Sequence, residues 1–138
     1  MDFIENYISR LTQKYSGIKS IWLFGSRANN SFHNTSDWDF LAFADENTLK
    51  TLKTDKTFCD ERIDLFIVYN DNDNDAENPY PDIQDGNKPD KTLSLTDLQW
   101  KQEGPDKATY IQVTNTVISK ATCVTLPFIP SPQGREDN

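Results

Sequence analysis

Three short apolar runs constrain this chain more than any other feature: Ile21-Trp22-Leu23-Phe24, Asp39 to Phe43, and Ile63 to Val68. Each is short and rich in aromatic or branched side chains, so each reads as a strand in a buried sheet. Ahead of them Phe3, Ile4, Tyr7, Ile8, Leu11 and Tyr15 recur at helical spacing, which predicts an amphipathic helix ended by Gly17. Asp45-Glu46 offers an N-cap for a second helix carrying Leu49 and Leu52. The expected fold is therefore α+β. A mixed sheet is built from strands near 20–25, 38–44 and 62–69, flanked by helices near 3–15 and 46–54.

The remainder of the chain is patterned differently. Asn70 to Lys91 is rich in Asn, Asp and Pro and nearly devoid of apolar residues, which predicts a long exposed loop. Asp71, Asp73, Asp75, Glu77 and Asp82 fall at calcium-loop spacing. Ala76 stands where such a loop needs glycine, however, and Pro79 stands at its ninth position, so a solvated loop is the better reading. Leu93, Leu95, Leu98 and Trp100 begin an element of undetermined type. Thr109-Ile111-Val113 and Ala121 to Phe128 read as further strands that extend or cap the sheet. The expected organisation is a core over 1–70, an acidic loop over 71–91, a β-rich extension over 92–129 completing the same domain, and a disordered tail over 130–138.

Charge and composition narrow the function classes. A length of 138 residues suits one domain. The formal net charge is −8, and no Lys/Arg cluster supplies the basic stripe that a nucleic-acid binder needs, so nucleic acid is disfavoured as a partner. No run approaches the ~18 apolar residues of a membrane span. The first residues, MDFIENYISRL, are amphipathic and carry acids, unlike a targeting leader. Cys59 and Cys123 stand alone, without metal-ligand spacing. Together these features point to a soluble, cytoplasmic protein.

Three sequence pieces carry the chemistry. The first strand ends in Gly25-Ser26-Arg27; ten residues intervene after Ser26 before Asp37-Trp38-Asp39 opens the second; and Asp64 interrupts an otherwise apolar third. A Gly-Ser turn can present backbone N–H groups and a hydroxyl to an anion. Strand alternation sets Asp37 and Asp39 on one face, about 7 Å apart at their Cα atoms. Carboxylates so placed suit Mg²⁺, and a set of three suits a two-metal clamp on an in-line displacement. Each piece has a plainer reading: a simple turn, a solvated strand edge, or an Asp64 paired with Arg62. A carboxylate inside an apolar strand is costly unless paired or metal-bound, which makes Asp64 the hardest to dismiss. His33, in the polar gap, reads as incidental.

The string Leu23-Phe24-Gly25-Ser26-Arg27-Ala28, the ten-residue gap and Ser36-Asp37-Trp38-Asp39-Phe40 resemble the GS-x10-DxD signature of minimal nucleotidyltransferases of the polymerase-β superfamily. The strand around Asp64 is similar to their third acidic position. The resemblance covers residues 1 to about 70. It implies that Gly25 and Ser26 hold a nucleoside triphosphate, with Arg27 as a further phosphate contact. It also implies that Asp37 and Asp39 bind two Mg²⁺ ions, and that Asp64 binds the second and helps deprotonate an acceptor hydroxyl. The implied reaction moves a nucleoside monophosphate, AMP foremost, onto a hydroxyl. A partner protein is the leading acceptor, as for antitoxin-type relatives. An aminoglycoside-type small molecule, or a non-catalytic nucleotide-binding module, is the alternative. The gap lacks the glycine often found after GSRA in relatives, and the helical acceptor-binding domain of many of them is not recognisable after Asp82.

Overall fold

The computed structural model describes residues 2–29, 33, 36–69, 82–85, 92–93, 98–112 and 117–125. In chain order the elements are α1 (Asp2–Lys14), β1 (Ser20–Phe24), β2 (Trp38–Phe43), α2 (Glu46–Thr54), a 3₁₀ turn (Lys56–Phe58) and β3 (Ile63–Tyr69). There follow β4 (Asp82–Asp85), β5 (Thr92–Leu93), β6 (Lys101–Gln102), β7 (Lys107–Tyr110) and β8 (Ser119–Cys123). Among the described residues these strands form one sheet in the order β5-β4-β3-β2-β1-β8-β7-β6. The pairing of β2 with β3 is parallel and every other pairing is antiparallel. The fold is the expected α+β arrangement, with a mixed sheet and two helices.

The parallel pair follows from its connection. Antiparallel strands can be joined by a tight turn, whereas parallel ones need a crossover, and α2 supplies it. Asp45 caps α2, accepting from the Thr48 backbone N–H at 2.7 Å and the Thr48 hydroxyl at 2.6 Å. These bonds hold the Asp45 carboxyl below its usual range. A Cβ on Gly17 would press on both capping groups at 2.6 Å, so the residue that ends α1 must be small for the α2 cap to approach.

Alternation divides the core in two. Ile21, Leu23, Trp38, Phe40, Ala42, Ile63, Leu65 and Ile67 pack with the apolar faces of α1 and α2. Trp22, Phe24, Leu41, Phe66 and Val68 face the other way, where Leu98, Ala108, Tyr110 and Ala121 join them. Trp100 closes over this second face, edge-on to Trp22 at 5.6 Å and tilted against Phe43 at 6.2 Å. The central strands are thus covered on both sides, which is why they read as continuous apolar runs.

Two expectations change. Part of the anticipated 71–91 loop is strand, because β4 pairs with the free edge of β3, with Phe66 opposite Asp85 and Tyr69 opposite Asp82. Backbone pairing on an edge needs no apolar pattern, so Asp82-Ile83-Gln84-Asp85 gave no sequence sign of it. Asp71, Asp73, Asp75 and Glu77 of the calcium-like spacing lie outside the described residues, as does the 130–138 tail. The second change is one of phase. The strand near Thr109 buries Ala108 and Tyr110 instead of Thr109 and Ile111, and Val113 falls outside the described residues. Cys59 is exposed and Cys123 half-buried.

One polar cluster ties the helices together away from the sheet. Asp55, after α2, accepts from Lys14 Nζ at 2.6 Å, from the Tyr15 hydroxyl and from Thr57. The Lys14 bond foremost, then those of Thr57 and Tyr15, hold the Asp55 carboxyl far below the usual carboxylate range. Burial, with Asp55 beside it, pushes the Tyr15 phenol well up, so it stays a neutral donor. A carboxyl depressed in the folded state contributes stability above its unfolded pKa of about 4, and that stability is lost as the pH falls. Asp55→Asn should therefore cost about 2 kcal/mol near neutrality, the scale of bonds to a charged group. Urea midpoints from about pH 7 down to about pH 2 check this, since the gap to the native chain should narrow below about pH 4.

Candidate functional site

The site is assembled where β1 ends and β2 and β3 begin. Phe24, the last residue of β1, pairs with Asp39, and Asp39 in turn pairs with Asp64 across the parallel β2–β3 ladder. Flanking residues fix the faces. Phe40 and Leu65 point to α1 and α2 while Leu41 and Phe66 point away, so Asp39 and Asp64 both lie on the face opposite those helices. Neighbouring strands run about 4.8 Å apart, which sets the two carboxylates side by side. Asp64 is 6% exposed and Asp39 is half-buried. Adjacent carboxylates repel, and a cation or a shared proton relieves the repulsion.

Gly25 completes this corner. Its φ of +76° is a left-handed conformation that side chains rarely adopt, and it swings the chain out of β1. A Cβ there would collide with the Asp39 carboxylate, so glycine is required for space as well as for conformation. From Gly25 to Asn29 the chain forms tight consecutive turns, with Ala28 N–H donating to the Gly25 carbonyl at 3.1 Å and Asn29 N–H to that of Ser26 at 3.2 Å. Ser26 is half-buried in this turn.

The other anticipated residues are placed less centrally. Asp37 precedes β2 and is exposed; alternation sets it on the Asp39 face. Arg27, anticipated as a phosphate contact, packs on Trp38 of the helix-side core. Its guanidinium lies 4.5 Å from the centre of the Trp38 ring and donates to the Ser36 carbonyl at 3.1 Å. Arg27 thereby ties the Gly25–Asn29 turn to the segment that presents Asp37. His33 is exposed; its N–H donates to the Ser36 hydroxyl at 2.7 Å, closing a turn just ahead of Asp37.

Two residues at this corner carried no sequence signal. The hydroxyl of Tyr110, on β7, accepts from the Gly25 N–H at 2.8 Å, across 85 positions of sequence. Asn29 bonds the Gly25 carbonyl at 2.8 Å and reaches the backbone of Lys120 on β8. Burial foremost, with the Asp39 charge adding to it, pushes the Tyr110 phenol up, so it is a neutral group here. A tyrosine among other aromatics, and an asparagine in a polar stretch, look ordinary until the fold brings them to Gly25.

Among the described residues no three His, Cys, Asp or Glu side chains cluster as an all-protein metal site. The Asp39–Asp64 pair still fits magnesium. That ion prefers hard oxygen donors and is commonly held by one or two carboxylates together with substrate phosphates. The space over Gly25, which a Cβ would fill, lies against the same carboxylate.

No helix among the described residues is long and apolar enough to cross a membrane. No curated protein and no solved structure matches the chain. Residues 6–61 match the family model described as Polymerase beta, Nucleotidyltransferase. The matched stretch runs from α1 to the turn before β3, taking in Gly25, Ser26, Asp37 and Asp39 and stopping short of Asp64. With the mixed sheet and the acid-bearing corner, that match supports a polymerase-β-like nucleotidyltransferase domain over residues 6–61 of the chain.

Proposed function

We propose that the chain transfers a nucleoside monophosphate, AMP foremost, from a magnesium-bound nucleoside triphosphate to a hydroxyl group, releasing pyrophosphate. One observation carries this reading: Asp39 and Asp64 stand side by side next to the strand end at Gly25, on the face opposite α1 and α2. A structural carboxylate pair would gain nothing from a glycine turn folded onto it. An anion-binding turn beside metal-binding acids is what transfer from a triphosphate requires.

In this reading the Gly25–Ser26 turn binds the triphosphate through backbone N–H groups and the Ser26 hydroxyl. Asp37 and Asp39 would hold the magnesium, with Asp64 completing the set. Magnesium bound there would neutralise charge on the attacking and leaving oxygens of the displacement. Asp64 takes the proton of the incoming hydroxyl as its oxygen forms a bond to the α-phosphorus and the bond to pyrophosphate breaks. Arg27 orients the Asp37 segment through Ser36 and Trp38.

The acceptor we propose is a hydroxyl on a partner protein, in the manner of an antitoxin acting in the cytoplasm. A net charge of −8 supports it, because so acidic a chain steers toward a basic partner. A polycationic small molecule is the other acceptor that this charge would attract.

Incubation with α-labelled ATP, CTP, GTP and UTP, in Mg²⁺ and with cell lysate, tests the reaction and the acceptor together. Label should reach a protein band from ATP and fall by about 10²-fold or more in Asp37→Asn/Asp39→Asn. Undiminished transfer by that variant would sink the reading, and label on a small molecule would replace the protein acceptor. Gly25→Ala should cost about 1–2 kcal/mol of stability for its left-handed backbone. Because the new Cβ displaces the Asp39 carboxylate, transfer should also drop by about tenfold or more. Paired denaturation and rate measurements check both, and an unchanged rate would show that the Gly25–Asp39 contact is irrelevant to the chemistry.

A further inference from the structure

Gly25 is held by groups that lie outside its own motif. Its N–H donates to the Tyr110 hydroxyl at 2.8 Å, and its carbonyl accepts from Asn29 Nδ2 at 2.8 Å. Tyr110 is itself immobilised: it is 4% exposed, edge-on to Phe24 at 5.9 Å and stacked on Trp100 at 6.3 Å.

Asn29 makes the more unusual contact. β1 pairs with β8 at Trp22–Cys123 and Leu23–Thr122, and continuing that register would set Gly25 opposite Lys120. Gly25 turns away instead. The Asn29 carboxamide fills the vacated position, giving Nδ2–H to the Lys120 carbonyl at 3.1 Å and accepting the Lys120 N–H on Oδ1 at 2.8 Å. Those are the two bonds a paired strand residue would exchange. The amide also lies 3.4 Å from the Tyr110 hydroxyl, linking the two devices.

Both therefore act on one residue, through the two peptide groups that flank its Cα, and a Cβ on that Cα would collide with the Asp39 carboxylate. We propose that Tyr110 and Asn29 are positioning residues of the nucleotide site, fixing the Gly25–Ser26 turn at its distance from Asp39. The β7–β8 hairpin is then a working part of the site, though it lies far outside the stretch that matches the family. This rests on the reading of Gly25, Ser26 and Asp39 as the nucleotide-binding corner. A hydrogen bond that merely satisfied a buried N–H would affect stability and leave nucleotide affinity alone.

Tyr110→Phe is the informative variant, since it keeps the ring and its packing and deletes one oxygen. Asn29→Ala is the second. Asp39→Asn is the control for the site itself. The full-length chain is titrated with ATP in Mg²⁺ by calorimetry, and thermal midpoints and Gly25 amide exchange are followed in parallel. The expected result is faster Gly25 exchange and a Kd weakened about fivefold in each positioning variant, with the thermal midpoint of Tyr110→Phe near that of the native chain. Native exchange and native Kd in Tyr110→Phe would overturn the proposal. So would tighter binding, which would make Tyr110 a competitor of phosphate for the Gly25 amide, and so would a Kd that moves only with collapse of the thermal midpoint in both variants. If the native chain and Asp39→Asn both bind no ATP, the corner is not a nucleotide site and the inference falls with that reading.

Discussion

Everything at the candidate site depends on the register of β2 against β3. Side chains alternate with a period of two, so slipping one strand by a single residue would send Asp64 toward the helices and Ile63 or Leu65 to the other face. The pairing resists this because both strands are covered on both sides. Phe40 and Ala42 sit beside Leu65 and Ile67 under α1 and α2, while Leu41 and Phe66 sit together on the opposite face. Moving any of them one step would place a carboxylate in the helix-side core, at a cost of several kcal/mol without a partner. Apolar packing over β2 and β3 is thus what sets the two acids against each other.

Gly25 extends that constraint to β1. The strand must end where it does because the residue opposite Asp39 is Phe24, and the next one has to leave the ladder to clear the carboxylate. An abrupt exit from a sheet leaves backbone groups without ladder partners, and buried groups of that kind must be satisfied elsewhere. Tyr110 and Asn29 satisfy them here. The sheet edge beyond β1 is therefore more than an added layer, since it takes over the hydrogen bonds that the Gly25 turn gives up.

How much of this was legible follows from the kind of force that shapes each part. The helices and the three central strands were readable because burial on known faces imposes a period on the sequence, as at Ile4, Tyr7, Ile8 and Leu11 or along Ile63 to Val68. Gly25, Ser26, Asp37, Asp39 and Asp64 were legible as a set because motif order and strand alternation are local properties. Their proximity is non-local, but it follows once the strands pair. β4 was hidden because it is recruited by backbone bonds to β3 on one side and β5 on the other, which place no demand on residue type. The phase of β7 was misread for a related reason: Ala108 is small and Thr109 is branched, so Thr109 looked like the inward residue when Ala108 is. Tyr110 and Arg27 depended on partners distant in sequence or on the opposite face, and no spacing rule reaches them.

The two faces of the sheet divide the physical work. On the helix side, α1, α2 and the 3₁₀ turn are joined by apolar packing, by the Tyr7 hydroxyl on the Phe58 carbonyl at 2.8 Å, and by the Asp55 cluster. That packing lies on the face away from Asp39 and Asp64. The opposite face carries the adjacent Asp39 and Asp64 carboxylates and the left-handed turn at Gly25. Arg27 sits at the seam, stacked on the helix-side Trp38 while its chain neighbours Gly25 and Ser26 turn over the acids. Its bond to the Ser36 carbonyl thereby joins the Gly25–Asn29 turn to the segment just ahead of Asp37.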